Sequence, residues 1–142
     1  MQTIKAFLER TPRPLYAVRQ DQTVWEALET LAKNNIGALP VLEGDQMVGI
    51  FSERDYARRV ELQGRQTRET LIRDVMTAQF ITVSPEQQMD ECMQIMTDKR
   101  VRHLPVMKDG QLVGLVSIGD VLFVMIAEQK QLIEQLQSYI AG

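Results

Sequence analysis

The heptapeptides GIFSERD at 49–55 and GLVSIGD at 114–120 share a glycine, a serine and an aspartate at the same internal spacing, 65 residues apart. Shifting the chain against itself by 65 residues aligns 35–55 with 100–120 without a gap, and eight of the 21 positions are identical, from Leu39/Leu104, Pro40/Pro105 and Val41/Val106 to Ser52/Ser117 and Asp55/Asp120. Chance at ordinary composition gives about one or two. The chain is therefore a tandem repeat, and whatever fold one half adopts the other must adopt too.

Each copy reads in the same order. An extended segment, LYAV at 15–18 or FITV at 80–83, leads through a turn into an amphipathic helix, roughly 22–34 or 86–99, whose apolar positions include Val24, Ala27, Leu28 and Leu31. A short strand ending in LPV follows, then a turn made from EGD or KDG, a second strand (MVGIF or LVGLV), and a closing helix. Gly44, Asp45, Asp109 and Gly110 suit the positive φ of tight hairpins. The fold class expected is α/β, of α+β type: two β-α-β-β-α repeats at 1–60 and 71–127, joined by a polar linker at 61–70 and followed by a helical extension at 128–142.

That last helix should run from about 119 to 140. Leu122, Met125, Gln129, Leu132, Leu136 and Tyr139 alternate by three and four, and Ile126, Ile133 and Ile140 flank them. So broad a stripe has to be buried, either against its own module or against a second subunit, and its length favours a homodimer.

With 142 residues and 44% hydrophobic side chains, the chain can bury a core of its own. A net charge of −3 and a pI near 5.2 argue against a nucleic-acid partner, which normally calls for a basic stripe. The longest apolar run, VLFVMIA at 121–127, is too short to cross a bilayer, and MQTIKAFLERTPRP does not resemble a secretion signal. A cytoplasmic protein without a membrane partner is expected. The lone Cys92 shares the i, i+3, i+4, i+7 spacing of Met89, Met93 and Met96, which places it in a helix's buried face.

The recurring Ser-x-x-Asp admits two readings. It resembles a capping box, in which Ser52 or Ser117 caps a free backbone N–H and the acid three residues on answers it, for about 1 kcal/mol. Aspartate is, however, a shorter reach than the usual glutamate or glutamine. A carboxylate at a helix N-terminus also offers two acceptor oxygens, suited to the adjacent hydroxyls of a ribose, beside a dipole end that favours an anion.

The combination of IRDVMT at 72–77, VRHLPV at 101–106, LVGLVSIGD at 112–120 and MVGIFSERDYARR at 47–59 resembles a tandem pair of cystathionine β-synthase (CBS) domains of the stand-alone kind, over roughly residues 4–127. The resemblance implies two sheets packed together and two related clefts for adenosine ligands (AMP, ADP, ATP, S-adenosylmethionine or NAD), with pairs associating as dimers. It implies one cleft built from Asp55 and Ser52 with Thr77, Ile81, Thr82 and Val83, and another from Asp120 and Ser117 with Thr11, Tyr16 and Ala17. Phosphate-contacting cations would be Arg102 and His103, whose counterparts in the first repeat are Gly37 and Ala38, and Arg54, whose counterpart is Gly119. Arg54 opposes the dipole at a helix N-terminus, which makes it a poor stability choice and a sensible phosphate ligand, its alternative being a solvated surface arginine. His103 can equally be a partly buried ring, and as the only histidine it builds no metal cluster. Arg58 and Arg59 read as a solvated face or dimer contact. ERTPRP at 9–14 departs from the family's DVMT, so the Asp55 cleft is expected to be the stronger site.

No G-x-x-x-x-G-K-[ST] loop, no strand-linked G-x-G-x-x-G and no nucleophile beside a base are present, so the pattern points away from an enzyme. The function expected is a regulatory adenine-nucleotide sensor, AMP being the foremost ligand, that signals to an effector protein in trans. The alternatives are a regulator that binds NAD(H) or S-adenosylmethionine and a ligand-free interaction scaffold.

Overall fold

The computed structural model describes residues 1–141. Its elements are α1 (Ile4–Arg10), β1 (Val18–Arg19), α2 (Val24–Asn34), β2 (Ala38–Glu43), β3 (Gln46–Ser52), α3 (Glu53–Asp55), α4 (Met89–Lys99), β4 (His103–Lys108), β5 (Gln111–Ser117) and α5 (Ile118–Ala141). The α3 turn continues as a π-helical stretch, Tyr56–Glu61, and a 3₁₀ turn spans Ile72–Asp74. β1 pairs in parallel with β2, β2 antiparallel with β3, and β4 antiparallel with β5. This is the expected mixed α/β architecture in duplicate.

The repeat is kept down to local irregularities. The β2–β3 ladder shifts register between Val41 and Leu42, and the β4–β5 ladder shifts at the equivalent Val106 and Met107. Helices α2 and α4 both end on a left-handed residue that is not glycine, Asn35 and Arg100. At the hairpins Gly44, Asp109 and Gly110 take positive φ. Asp45 does not, because one glycine at the first turn position suffices for a II′-like hairpin whereas the second hairpin needs two such residues.

The opening strands are shorter than LYAV and FITV suggest. β1 is two residues long, and its counterpart is a single parallel bridge, Val83 to Val106. The residues before Val83 leave the ladder to border a cleft, and Ala78–Thr82 form no backbone–backbone hydrogen bond among the described residues.

The packing units are offset from the sequence repeats. Ile4 and Phe7 of α1 are buried with Val83, Met89, Cys92 and Leu104 in the second core, while Ile72 and Val75 are buried with Val18, Leu31, Leu39 and Phe51 in the first. Each side chain so buried is worth about 1.5–3 kcal/mol, so the exchange of opening segments ties the two halves together. Backbone bonds follow it: Ile4 N donates to Gln87 O, Met89 N to Gln2 O, and Ile50 and Thr77 exchange a reciprocal pair at 2.9 Å. The 61–70 segment is laced to α2, with Val24 N donating to Thr70 O and the Arg68 guanidinium 4.1 Å from the Trp25 ring.

Helix α5 buries only Val121 and Val124, and residues 129–141 are all exposed. The stripe therefore does not pack back on its own module. Among the described residues, no helix is long and apolar enough to cross a membrane. Cys92 lies in the second core, where burial, with Glu91 and Asp90 adding to it, pushes its thiol up to about 11; it is an inert packing group.

A Cβ at Gly49 would lie 2.5 Å from Met76 Sδ and 3.0 Å from Thr77 O, the carbonyl held by Ile50. Methionine can move but the bonded carbonyl cannot, so Gly49→Ala should cost about 1–3 kcal/mol in a urea unfolding series. Unchanged stability would mean that the two halves are not in such close register.

Candidate functional site

The Ser-x-x-Asp motif sits where each second strand turns into its closing helix. Ser52 and Ser117 keep extended backbone at the end of β3 and β5, and the chain then turns helical. Asp55 N donates to Ser52 Oγ at 3.2 Å and Ser52 N donates to Asp55 Oδ2 at 2.9 Å; the corresponding distances for Ser117 and Asp120 are 3.2 and 2.8 Å. The caps are complete in both copies. Aspartate spans the turn well enough, contrary to the expectation drawn from its shorter side chain.

Capping leaves each carboxylate part of its acceptor capacity, and the two copies fill it differently. Asp55 Oδ1 accepts from Thr77 Oγ1 at 3.0 Å, with Arg59 Nε 3.8 Å away. Thr77 belongs to the second sequence repeat, so this carboxylate is held across the exchanged interface. Asp120 instead receives a bidentate pair from Arg13, Nη1 to Oδ1 and Nη2 to Oδ2, both at 2.7 Å. Burial acts to raise the Asp120 carboxyl, but the Arg13 and Ser117 hydrogen bonds and the Arg13 charge together outweigh it and hold the carboxyl below its ordinary value.

Two clefts open beside these carboxylates. One, of about 230 Å³, is bordered by Ser52, Arg54, Asp55, Thr77 and Ile81, with Phe80 beside them. The other, of about 890 Å³, is bordered by Thr11, Arg13, Tyr16, Ser117 and Asp120, with Asn35 beside them. Gly37, Glu53, Arg102 and His103 line both, so the two clefts adjoin. The wider cleft is the one at Asp120, bordered by the irregular ERTPRP segment.

Three of the expected residues do not border the clefts. Thr82 and Val83 lie outside the Asp55 cleft: Ile81 and Val83 share one face of an extended segment, Val83 enters the second core, and Thr82 between them is exposed to solvent. Ala17 is likewise outside the Asp120 cleft, between Tyr16, which lines it, and the buried Val18.

Arg54 does line the Asp55 cleft, where its Nη1 donates to Arg100 O at 3.0 Å while its charge and remaining N–H donors stay uncommitted among the described residues. That carbonyl terminates α4, where a positive charge is favourable, so the residue that looks misplaced at one helix N-terminus serves another helix's C-terminus. Arg59 is no idle surface residue either, since its Nη1 donates to Met76 O at 2.8 Å and holds the segment that presents Thr77.

His103 was expected as a phosphate-contacting cation. Burial, reinforced by the Arg102 and Arg54 charges and opposed by Asp120, lowers its pKa from the ordinary 6.5, so the imidazole is predominantly neutral at pH 7. Arg102 is exposed and its side chain makes no hydrogen bond or ion pair among the described residues. Arg13, Gln79 and Phe80 border the clefts unannounced by the repeat, since none of them lies within the aligned 35–55 and 100–120 blocks.

Comparison with known proteins bears on this geometry. The CBS domain family model matches the chain twice, over residues 10–62 and 72–127. The mitochondrial CBS domain-containing protein CBSX3 of Arabidopsis thaliana is 42% identical over 127 residues, covering 86% of this chain and 62% of its own, so the chain spans less than two thirds of that relative. The CBS domain-containing protein YhcV of Bacillus subtilis is 33% identical over 103 residues, covering 72% of this chain and 73% of its own. Among solved structures, a CBS-domain containing protein from Agrobacterium tumefaciens superposes with a TM-score of 0.82 at 34% identity, covering 87% of this chain and 99% of its own. The CBS domain pair of protein MJ0100, solved with 5′-methylthioadenosine and S-adenosyl-L-methionine, shares the fold with a TM-score of 0.79 at 23% identity, covering 90% and 98%.

Because His103 is the only histidine, its imidazole gives a single proton NMR titration. The midpoint should fall below 6.5 in the folded protein. The unfolded chain then takes up the proton first, so folding stability is fully present above about pH 6.5 and declines as pH falls toward the folded midpoint. His103→Gln should remove that part of the pH dependence, and a midpoint at or above 6.5 would contradict the buried, neutral ring.

Proposed function

The chain belongs to the CBS domain family, and on that premise we propose that it is a regulatory module that senses adenine nucleotides of the AMP, ADP or ATP type in the clefts between its repeats. The observation that carries this reading is the duplicated carboxylate: Asp55 and Asp120 each stand at a helix start on the wall of a cleft that both repeats line. A ribose's adjacent hydroxyls can donate to such a carboxylate. Arg54, Arg102 and, in the wider cleft, Arg13 are cations on the same walls for phosphates, and Ile81, Phe80 and Tyr16 offer apolar surface for a purine. The adenosine compounds found with protein MJ0100 agree with this chemistry.

Micromolar affinity requires about −8 kcal/mol, which one carboxylate–diol contact, a covered base and two charge-assisted phosphate contacts are sufficient to supply. Occupancy bridges the exchanged segments, and the resulting change is read in trans by an effector protein. The role in this reading is regulatory.

The module also acts as a homodimer in this reading. Leu132, Ile133 and Leu136 are each more than half exposed on the free stretch of α5, and Tyr139 and Ile140 more than four fifths, a patch that a second α5 would cover. The completed caps favour a competing reading, in which the carboxylates are structural only and the protein is a ligand-free interaction scaffold.

Thermal melting separates the two readings. AMP at 100 times its dissociation constant adds about 2.7 kcal/mol, which should raise the midpoint by roughly 5–10 °C for a chain of this size. Asp55→Ala and Asp120→Ala, each measured against its own ligand-free melt, should lose the rise at one cleft apiece and the double variant should lose all of it. No rise with AMP, ATP, NADH or S-adenosylmethionine would leave the scaffold. For the dimer, sedimentation of a variant carrying Leu132→Glu and Leu136→Glu should shift from two chains to one, and a monomeric parent protein at micromolar concentration would sink that part of the proposal.

A further inference from the structure

The two carboxylates differ in what a ligand must displace. At Asp55 the cross-repeat donor is the neutral Thr77 hydroxyl, and the nearby Arg59 is anchored separately on Met76 O. At Asp120 the donor is a guanidinium that engages both oxygens. Arg13 is also seated: Nη2 donates to Leu115 O at 2.8 Å, and the charged group lies 5.1 Å from the centre of the Phe7 ring. Pro12 and Pro14 flank it and narrow the backbone directions from which it can reach the cleft.

Two adjacent hydroxyls, which call for both oxygens, therefore compete with Arg13 for the Asp120 carboxylate. The released guanidinium joins Arg102 on a wall whose other acid is Glu53, beside a histidine held neutral. A ligand that brings its own anion gives the released guanidinium a new hydrogen-bonding partner, and a neutral nucleoside leaves it without one.

We infer that Arg13 is the specificity-determining residue of the Asp120 cleft, an internal counter-ion that shuts out uncharged nucleosides and admits ligands that carry phosphate. The inference rests on the nucleotide reading above and deepens it by assigning different ligand classes to the two clefts. The Asp55 cleft takes charged or uncharged adenosine compounds; the Asp120 cleft takes charged ones alone.

Calorimetric titration in an Asp55→Ala background isolates the Asp120 cleft, with AMP and adenosine as the two probes. AMP should bind at least about tenfold more tightly than adenosine there. Adding Arg13→Ala should tighten adenosine about tenfold and collapse the preference, and Arg13→Gln, which keeps a side chain over Phe7, should do the same. In the reciprocal Asp120→Ala background, Arg13→Ala should change neither affinity. If the Asp55→Ala background melts without cooperativity, the amide NMR shifts of Gly119 and Asp120 in otherwise unaltered protein follow the same two ligands. A preference that survives both Arg13 variants, or an equal weakening of both ligands, overturns the filter and leaves the nucleotide reading intact. No binding of either ligand to parent or variant overturns the nucleotide reading itself.

Discussion

The exchange of opening segments between the repeats is the constraint on which the rest of the molecule depends. Neither half closes its own core: the first lacks a lid until Ile72 and Val75 arrive, and the second until Ile4 and Phe7 do. Because these side chains are almost completely buried, neither repeat keeps its apolar surface covered if the other departs. The reciprocal bonds between Ile50 and Thr77 then fix the register of one half on the other. Both clefts are products of this register, since each is bordered by the second strand of one repeat and the opening segment of the other.

Within that frame the Ser-x-x-Asp motif does two jobs with one set of atoms. The serine and the aspartate satisfy the free N–H groups of a helix start, which the backbone demands wherever a strand turns into a helix. The same geometry holds a carboxylate rigidly at the edge of a cleft. The structural and the binding interpretations are thus compatible, and a fixed carboxylate loses little freedom when it meets a ligand. What separates the copies is the next hydrogen-bond partner: a hydroxyl at Asp55, with the Arg59 guanidinium 3.8 Å away, and a bidentate guanidinium at Asp120. The repeats have kept the scaffold and diverged in what holds the carboxylate.

Much of the fold was legible because it follows from local rules. The two helices of the β-α-β-β-α units, the hairpins and the long last helix lie within a few residues of where periodicity and turn chemistry put them. The opening strands were overestimated because LYAV and FITV are extended and apolar without being paired along their length; where they border a cleft they leave the ladder. Thr82, Val83 and Ala17 do not border the clefts for the same reason: a resemblance names a segment, but only the backbone's path decides which of its residues line the cavity. Arg54 and Arg59 show a different gap: the carbonyl each binds, 46 or 17 residues away, is visible only in the folded chain.

The sequence by itself determined that the chain is a duplicated α/β unit, that each copy ends its second strand in a capped helix start bearing an aspartate, and that an apolar helix trails beyond them. These features depend on spacings of two, three and four residues and on a shift of 65, all of which a linear chain displays. The tertiary structure alone decided that the opening segments are exchanged, that the wider cleft belongs to Asp120, that Arg13 occupies its carboxylate, and that burial lowers the pKa of His103. Each of those turns on atoms far apart in the chain, as Arg13 and Asp120 are, or on burial in an environment to which both repeats contribute. Electrostatic partners and desolvation act through space, and no periodicity along the backbone encodes them.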